Sequence, residues 1–253
     1  LPRRHSRRPA PRHPERQPPA ANLLWGRRAY RELLTEGCKA AKVDILAYCL
    51  MPNPVHLVLT PSSEDGLRAV LADAHRRYSR RINQREGWTG YLWQGRFASA
   101  PLDEAHLLAA CRYVELNPVR ARIVAAPRDW SWSTARAHLN ARPDGVASIG
   151  PMLTRVPDWA GFLAAGLPEA DHLALRAAER TGRPLGSKAF IAGIETRSGR
   201  SFELGRAVRP RRPADGASDR TVGIIPSAKL KQNRSRSGLP VDLWRGLLAT
   251  NGG

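Results

Sequence analysis

Two short apolar runs, Val43-Asp44-Ile45-Leu46-Ala47-Tyr48-Cys49-Leu50 and Val55-His56-Leu57-Val58-Leu59, flank the breaker Pro52-Asn53-Pro54. Both are β-rich, and the first alternates only loosely. Two such runs around a Pro/Asn break predict a β-hairpin. This hairpin constrains the rest of the chain, because a pair of strands must be covered by whatever flanks it.

The flanks read as helices. Ala29, Leu33, Leu34 and Cys38 recur at helical spacing between Trp25 and Ala41. Leu67, Val70, Leu71, Ala74, Tyr78 and Ile82 line one side of a predicted helix over 65–85, whose second half is basic through Arg76, Arg77, Arg80 and Arg81. After Gly87 and Gly90, Tyr91-Leu92-Trp93-Gln94-Gly95-Arg96-Phe97 reads as a strand. Asp103 is placed to cap a helix from Glu104 to Leu116, closed by Asn117-Pro118. The order helix, strand, strand, helix, strand, helix predicts an α+β fold, an antiparallel sheet with helices packed on it. Further on, 157–165, 169–180 and 188–196 are short helical segments. The turn Arg180-Thr181-Gly182-Arg183-Pro184-Leu185-Gly186-Ser187 separates the last two, with Ser187 as a cap. That pair is open to two readings, a plain αα-hairpin or a helix-turn-helix.

Charge is concentrated at the ends. The chain of 253 residues carries a net charge of +19. Residues 1–20 hold six Arg against one Glu, and 197–238 hold eleven Lys or Arg against three acids. Clustered positive charge favours a polyanion, most often nucleic acid, through counterion release. The domain reading is a disordered basic tail over 1–22, a domain over 23–140, a helical extension over 141–196, and a basic, largely flexible tail over 197–253. No apolar run is long enough to cross a membrane. Cys38, Cys49 and Cys111 lie unclustered in apolar stretches, which predicts reduced core thiols in a cytoplasmic protein.

Within the predicted helix from Glu104, His106, Tyr113 and Asn117 share a stripe distinct from the apolar Leu107, Cys111 and Val114. A Tyr with a polar residue four positions on can present a nucleophile beside a ligand. The same spacing also suits an ordinary core Tyr and a helix stop. His56 on the second hairpin strand is likewise open to packing or catalysis.

Three longer matches bear on this choice: 50–59, with Pro54-Val55-His56; Leu92-Trp93-Gln94-Gly95-Arg96-Phe97; and Arg112-Tyr113-Val114-Glu115-Leu116-Asn117-Pro118-Val119-Arg120-Ala121. Together they resemble the single-tyrosine HUH transposases, and within them the REP-associated tyrosine transposases. Asp129-Trp130-Ser131-Trp132-Ser133 and Thr181–Ser187 resemble that group too, so the likeness runs over about 28–196.

The resemblance implies a ferredoxin-like sheet and cleavage and rejoining of single-stranded or hairpin DNA, such as repetitive palindromic elements. Tyr113 would be the nucleophile, leaving a 5′-phosphotyrosine link, with no nucleotide cofactor. A divalent Mg²⁺ or Mn²⁺ would be held by His56 and Asn117 together with position 54. Arg76, Arg77, Arg80, Arg81, Arg96 and Arg183, with Tyr91, Trp93 and Gln94, would contact DNA. The protein would be a monomer or homodimer near the bacterial nucleoid, without membrane association.

Two departures stand out. Position 54, a metal-binding His in the family, is Pro54, which offers no side-chain donor. The family's opening strand is absent, and Arg/Pro-rich sequence stands in its place. Together they imply a decayed or frame-shifted copy, and make a catalytically decayed DNA-binding protein the alternative function. A basic RNA-binding protein is a third reading.

Overall fold

The computed structural model describes residues 20–93, 97–202 and 246–251. Helix α1 (Ala20–Ala41) leads into the hairpin β1 (Val43–Leu50) and β2 (Val55–Pro61). Then come α2 (Gly66–Glu86), β3 (Ala98–Leu102) and α3 (Glu104–Arg120). Short helices α4 (Ala135–Leu139), α5 (Gly150–Arg155) and α6 (Trp159–Ala164) precede α7 (Glu169–Thr181) and α8 (Lys188–Ser198). A last strand, β4 (Gly246–Asn251), completes a four-stranded antiparallel sheet of order β1-β2-β4-β3.

The sheet is covered on both faces, which explains why β1 alternates so poorly. Ile45, Tyr48, Leu50, Leu57 and Leu59 face one core with Tyr30, Leu34 and Cys38 of α1 and Val70 and Leu71 of α2. Leu46, Ala47, Cys49 and Val58 face the other, with Leu107, Cys111 and Val114 of α3, Trp159 of α6 and Leu175 of α7. A register shift between Ile45 and Ala47 puts consecutive Leu46 and Ala47 on the same side. Both faces being apolar, the strand reads as a continuous hydrophobic run. The expected α+β architecture is therefore found.

Both outer edges of the sheet are closed by segments whose sequences are turn-like. At β1, the Leu50 N–H donates to Trp132 O at 2.8 Å, and the Thr134 N–H to Tyr48 O at 3.0 Å. At β3, the Leu185 N–H donates to Pro101 O at 2.8 Å and the Asp103 N–H to Leu185 O at 3.1 Å. The 130–134 and 181–187 stretches thus satisfy edge groups that would otherwise recruit another strand.

Three local expectations change. The strand expected over 91–97 is displaced to β3, because Trp93 turns away to stack with Tyr30, His75 and Tyr78, ring centroids 4.4–5.7 Å apart, and its Nε1–H donates to His75 O. Helix α3 does not stop at Leu116. Pro118 deletes one donor, but the Ala121 N–H closes on Asn117 O at 2.9 Å, so the final turn persists. The flexible tail expected over 197–253 does not extend to 246–251, which form an inner strand, with Thr250 opposite His56. The rest of the basic tails, 1–19 and 203–245, and the expected DNA contacts Gln94 and Arg96 lie outside the described residues. Among the described residues, no helix is long and apolar enough to cross a membrane. The three cysteines are buried and free, and burial pushes the Cys38 thiol up to about 12.

Candidate active site

Tyr113 stands on α3 where that helix crosses the sheet face bearing His56 and Val58. Asp103 fixes the start of α3 by accepting from the His106 N–H at 3.1 Å. His106 is held there as well, its Nδ1 2.6 Å from Asp103 Oδ1, and it does not serve Tyr113. Burial alone would raise the Asp103 carboxyl, but the hydrogen bonds from His106 and the Ser187 N–H outweigh it and hold the group low. Apolar Leu107, Cys111 and Val114 bind α3 to the sheet, which fixes the rotation that aims Tyr113 at β2.

Around Tyr113 the structure gathers two rings and a carboxylate. The His56 ring meets it edge-on at 5.6 Å, and His172 of α7 lies 5.7 Å away. The Tyr113 hydroxyl donates to Glu179 Oε2 at 3.2 Å, while Glu179 Oε1 is 3.1 Å from His56 Nδ1. Tyr113 is only 5% exposed. Desolvation is the main reason its phenol is pushed well above the usual tyrosine range, and the Glu179 charge and hydrogen bond add to it. Arg176 and Arg120 act in the opposite sense, favouring the phenolate. The arrangement can hold a phenol proton on a carboxylate and supply positive charge beside it.

Asn117, one turn beyond Tyr113, has a buried Nδ2 with no hydrogen-bond partner among the described residues. That unspent N–H group can donate to an incoming acceptor such as a phosphate oxygen, and the oxygen of the same amide is a hard donor of the type that suits Mg²⁺ or Mn²⁺. Among the described residues no three His, Cys, Asp or Glu side chains gather as a metal centre. The donor chemistry of His56, Glu179 and Asn117 fits a divalent ion.

Residues 23–117 match the family model described as "Transposase IS200 like". That segment is similar to the IS200-like transposases. A Haemophilus influenzae protein named "Putative REP-associated tyrosine transposase" is 22% identical over 123 residues, which is 44% of this chain and 70% of that protein. No solved structure matches. The likeness points to DNA binding and DNA transposition, and the matched segment contains β1, β2 and α3 up to Asn117.

Those of the expected DNA contacts that are described do not converge on Tyr113. Helix α2 packs against the sheet face opposite α3, so Arg76, Arg77, Arg80 and Arg81 lie in the far layer. Arg76 is paired with Asp73 at 2.5 Å, and Arg77 with both oxygens of Glu36 at 2.8 and 3.0 Å. Trp93 is half-buried in the aromatic cluster, whereas Tyr91 beside it is fully exposed. Arg183 is half-buried in the turn that closes the β3 edge.

Sequence reasoning missed Arg120 and the whole contribution of α7. His172, Arg176 and Glu179 follow i, i+4, i+7 spacing beside the buried Leu175 and Ala178. That polar stripe next to an apolar one was the available signal.

Proposed function

We propose that this chain cleaves and rejoins single-stranded or hairpin DNA through a covalent link to Tyr113. The observation that carries the reading is the Tyr113 hydroxyl, within the family-matched segment beside His56, held against Glu179 of α7. Tyr113 Oη attacks the scissile phosphorus, and its proton passes to Glu179 Oε2, its hydrogen-bond acceptor. The Oη–P bond forms and the P–O3′ bond breaks, leaving a 5′-phosphotyrosine and a 3′-hydroxyl once the departing oxygen is protonated. The phosphate-ester bond is conserved in the link, so no nucleotide is consumed. Arg120 and Arg176 offset the charge that develops as the phenol gives up its proton. A bound Mg²⁺ or Mn²⁺ would polarise the phosphate, with His56 and Asn117 among the groups to hold it.

The sheet order supports a ferredoxin-like reading in which β4 takes the inner slot that the family's opening strand would take. Its antiparallel pairing with both β2 and β3 is what that slot requires. Strand order then survives while the connection changes.

A second reading, a DNA-binding protein without cleavage, is favoured by Pro54 and by the near-complete burial of Tyr113. A denaturing gel separates the two. The whole chain, incubated with a labelled hairpin oligonucleotide and Mn²⁺, should give a covalent adduct that Tyr113→Phe abolishes. Retained binding with no adduct in the unsubstituted protein would leave the second reading standing.

A further inference from the structure

We propose that Glu179 supplies the metal ligand that position 54 lacks, holding a divalent cation with His56 beside Tyr113. The proposal rests on reading Tyr113 as the reacting group, but it concerns a residue well outside the matched segment.

Three observations converge. Pro54 offers no donor, so His56 has lost its partner on the same strand face. Glu179 Oε1 comes within 3.1 Å of His56 Nδ1 from an element 123 residues away in sequence. Adjacent ligands on an octahedral ion with bonds of about 2.1 Å stand about 3 Å apart, so the pair already has the spacing of two cis ligands. Asn117 is the third observation: it stands one turn beyond Tyr113 on α3, and an amide oxygen is a hard donor of the kind these ions take.

Replacing an imidazole by a carboxylate also suits the ion. A carboxylate is a harder donor and carries charge, which favours Mg²⁺ and Mn²⁺ over softer competitors. Its other oxygen accepts from the Tyr113 hydroxyl at 3.2 Å, so the ligand that fixes the cation also touches the nucleophile. Helix α7 is anchored by buried Leu175 and Ala178, which gives Glu179 a rigid base.

Mn²⁺ binding to the full chain, followed by loss of the free-ion electron paramagnetic resonance signal, tests this without any DNA. The unsubstituted protein should bind, and Glu179→Gln should weaken binding by about tenfold or more. Pro54→His placed in the Glu179→Gln background should recover it, because an imidazole is returned to the strand. A thermal melt of each variant reports whether it is folded. Unchanged Mn²⁺ affinity in folded Glu179→Gln, or no Mn²⁺ binding by the unsubstituted protein, overturns the proposal. The adduct gel keeps this separate from the cleavage reading. Glu179-dependent Mn²⁺ binding without adduct supports the ligand and defeats the cleavage. Adduct formed by the unsubstituted protein, with Mn²⁺ affinity unchanged in folded Glu179→Gln, supports the cleavage and defeats the ligand.

Discussion

Helix α3 carries two residues, Tyr113 and Glu115, that each join a carboxylate–histidine pair, and the two pairs differ in almost every respect. Glu115 accepts from His138 Nδ1 at 2.5 Å, Thr134 Oγ1 at 2.6 Å and Trp159 Nε1 at 2.7 Å, and both side chains of the pair are 0% exposed. Glu179 makes two longer contacts, 3.1 Å to His56 and 3.2 Å to Tyr113, and its side chain remains 15% exposed. A carboxylate with three short donors has little capacity left for a ligand. One with two long contacts and a path to solvent can exchange them. The first pair bolts α3 to α4, α6 and the edge segment at Thr134, while the second is where chemistry can occur.

The sharpest way to break this comparison is to remove Glu115. Glu115→Ala would strand the His138, Thr134 and Trp159 donors in a dry interior. The expected loss is about 3–5 kcal/mol in a urea titration, the usual cost of halving a buried pair. A loss below about 1 kcal/mol would mean that Glu115 is not the bolt described.

His75 supplies a control, a half-buried histidine that faces a hydroxyl. Its Nε2 lies 2.9 Å from Tyr30 Oη, and desolvation lowers its pKa from 6.5 to about 4. A base with a depressed folded-state pKa contributes stability that is fully present above the unfolded value. That stability falls away as pH drops from about 6.5 to about 4, since the unfolded chain takes up the proton first. The expected decline is about 3 kcal/mol across that window. His75→Phe should flatten the decline, and an unaltered slope would place the acid sensitivity elsewhere.

Both pairs show where sequence reading stops. The hairpin and helices α2 and α3 were legible because their signals are local: apolar period, an Asp cap, a Pro/Asn break. The strand expected over 91–97 was misplaced because Trp93 looks β-forming but is engaged with α1 and α2. Strand β4 carries no local mark of an inner strand, since only β2 and β3 define its slot. At the site, His56 and Tyr113 were readable from motif and helical stripe. Glu179 was not, because its partners are 123 and 66 residues away. Glu115 was passed over inside the very motif that revealed Tyr113, as its partners Thr134, His138 and Trp159 are assembled only by the fold.

Trp159→Phe tests how far the sealed pair depends on its third donor. The ring keeps most of the packing against His138, whose centroid is 4.3 Å away, while the 2.7 Å bond to Glu115 Oε2 is lost. A hydrogen bond to a charged acceptor is worth about 1.5–3 kcal/mol, so the midpoint in urea should fall accordingly with an unchanged slope. An effect as large as that of Glu115→Ala would show that the indole, rather than the carboxylate, organises the cluster.

The smallest change in stability belongs to the open pair. Glu179→Gln preserves volume, removes one charge and breaks only long contacts reached by solvent, so stability should move by less than about 1 kcal/mol. The phenol should respond more clearly. Glu179 raises the Tyr113 pKa by its charge and its hydrogen bond, so the amide should let it fall toward the usual tyrosine range. Burial, the larger cause, stays in place and keeps the phenol above that range. Tyrosinate absorbance, taken as a difference against Tyr113→Phe, reads that shift directly. A large loss of stability with no shift of the phenol would make Glu179 a second bolt, and the distinction between the two pairs would collapse.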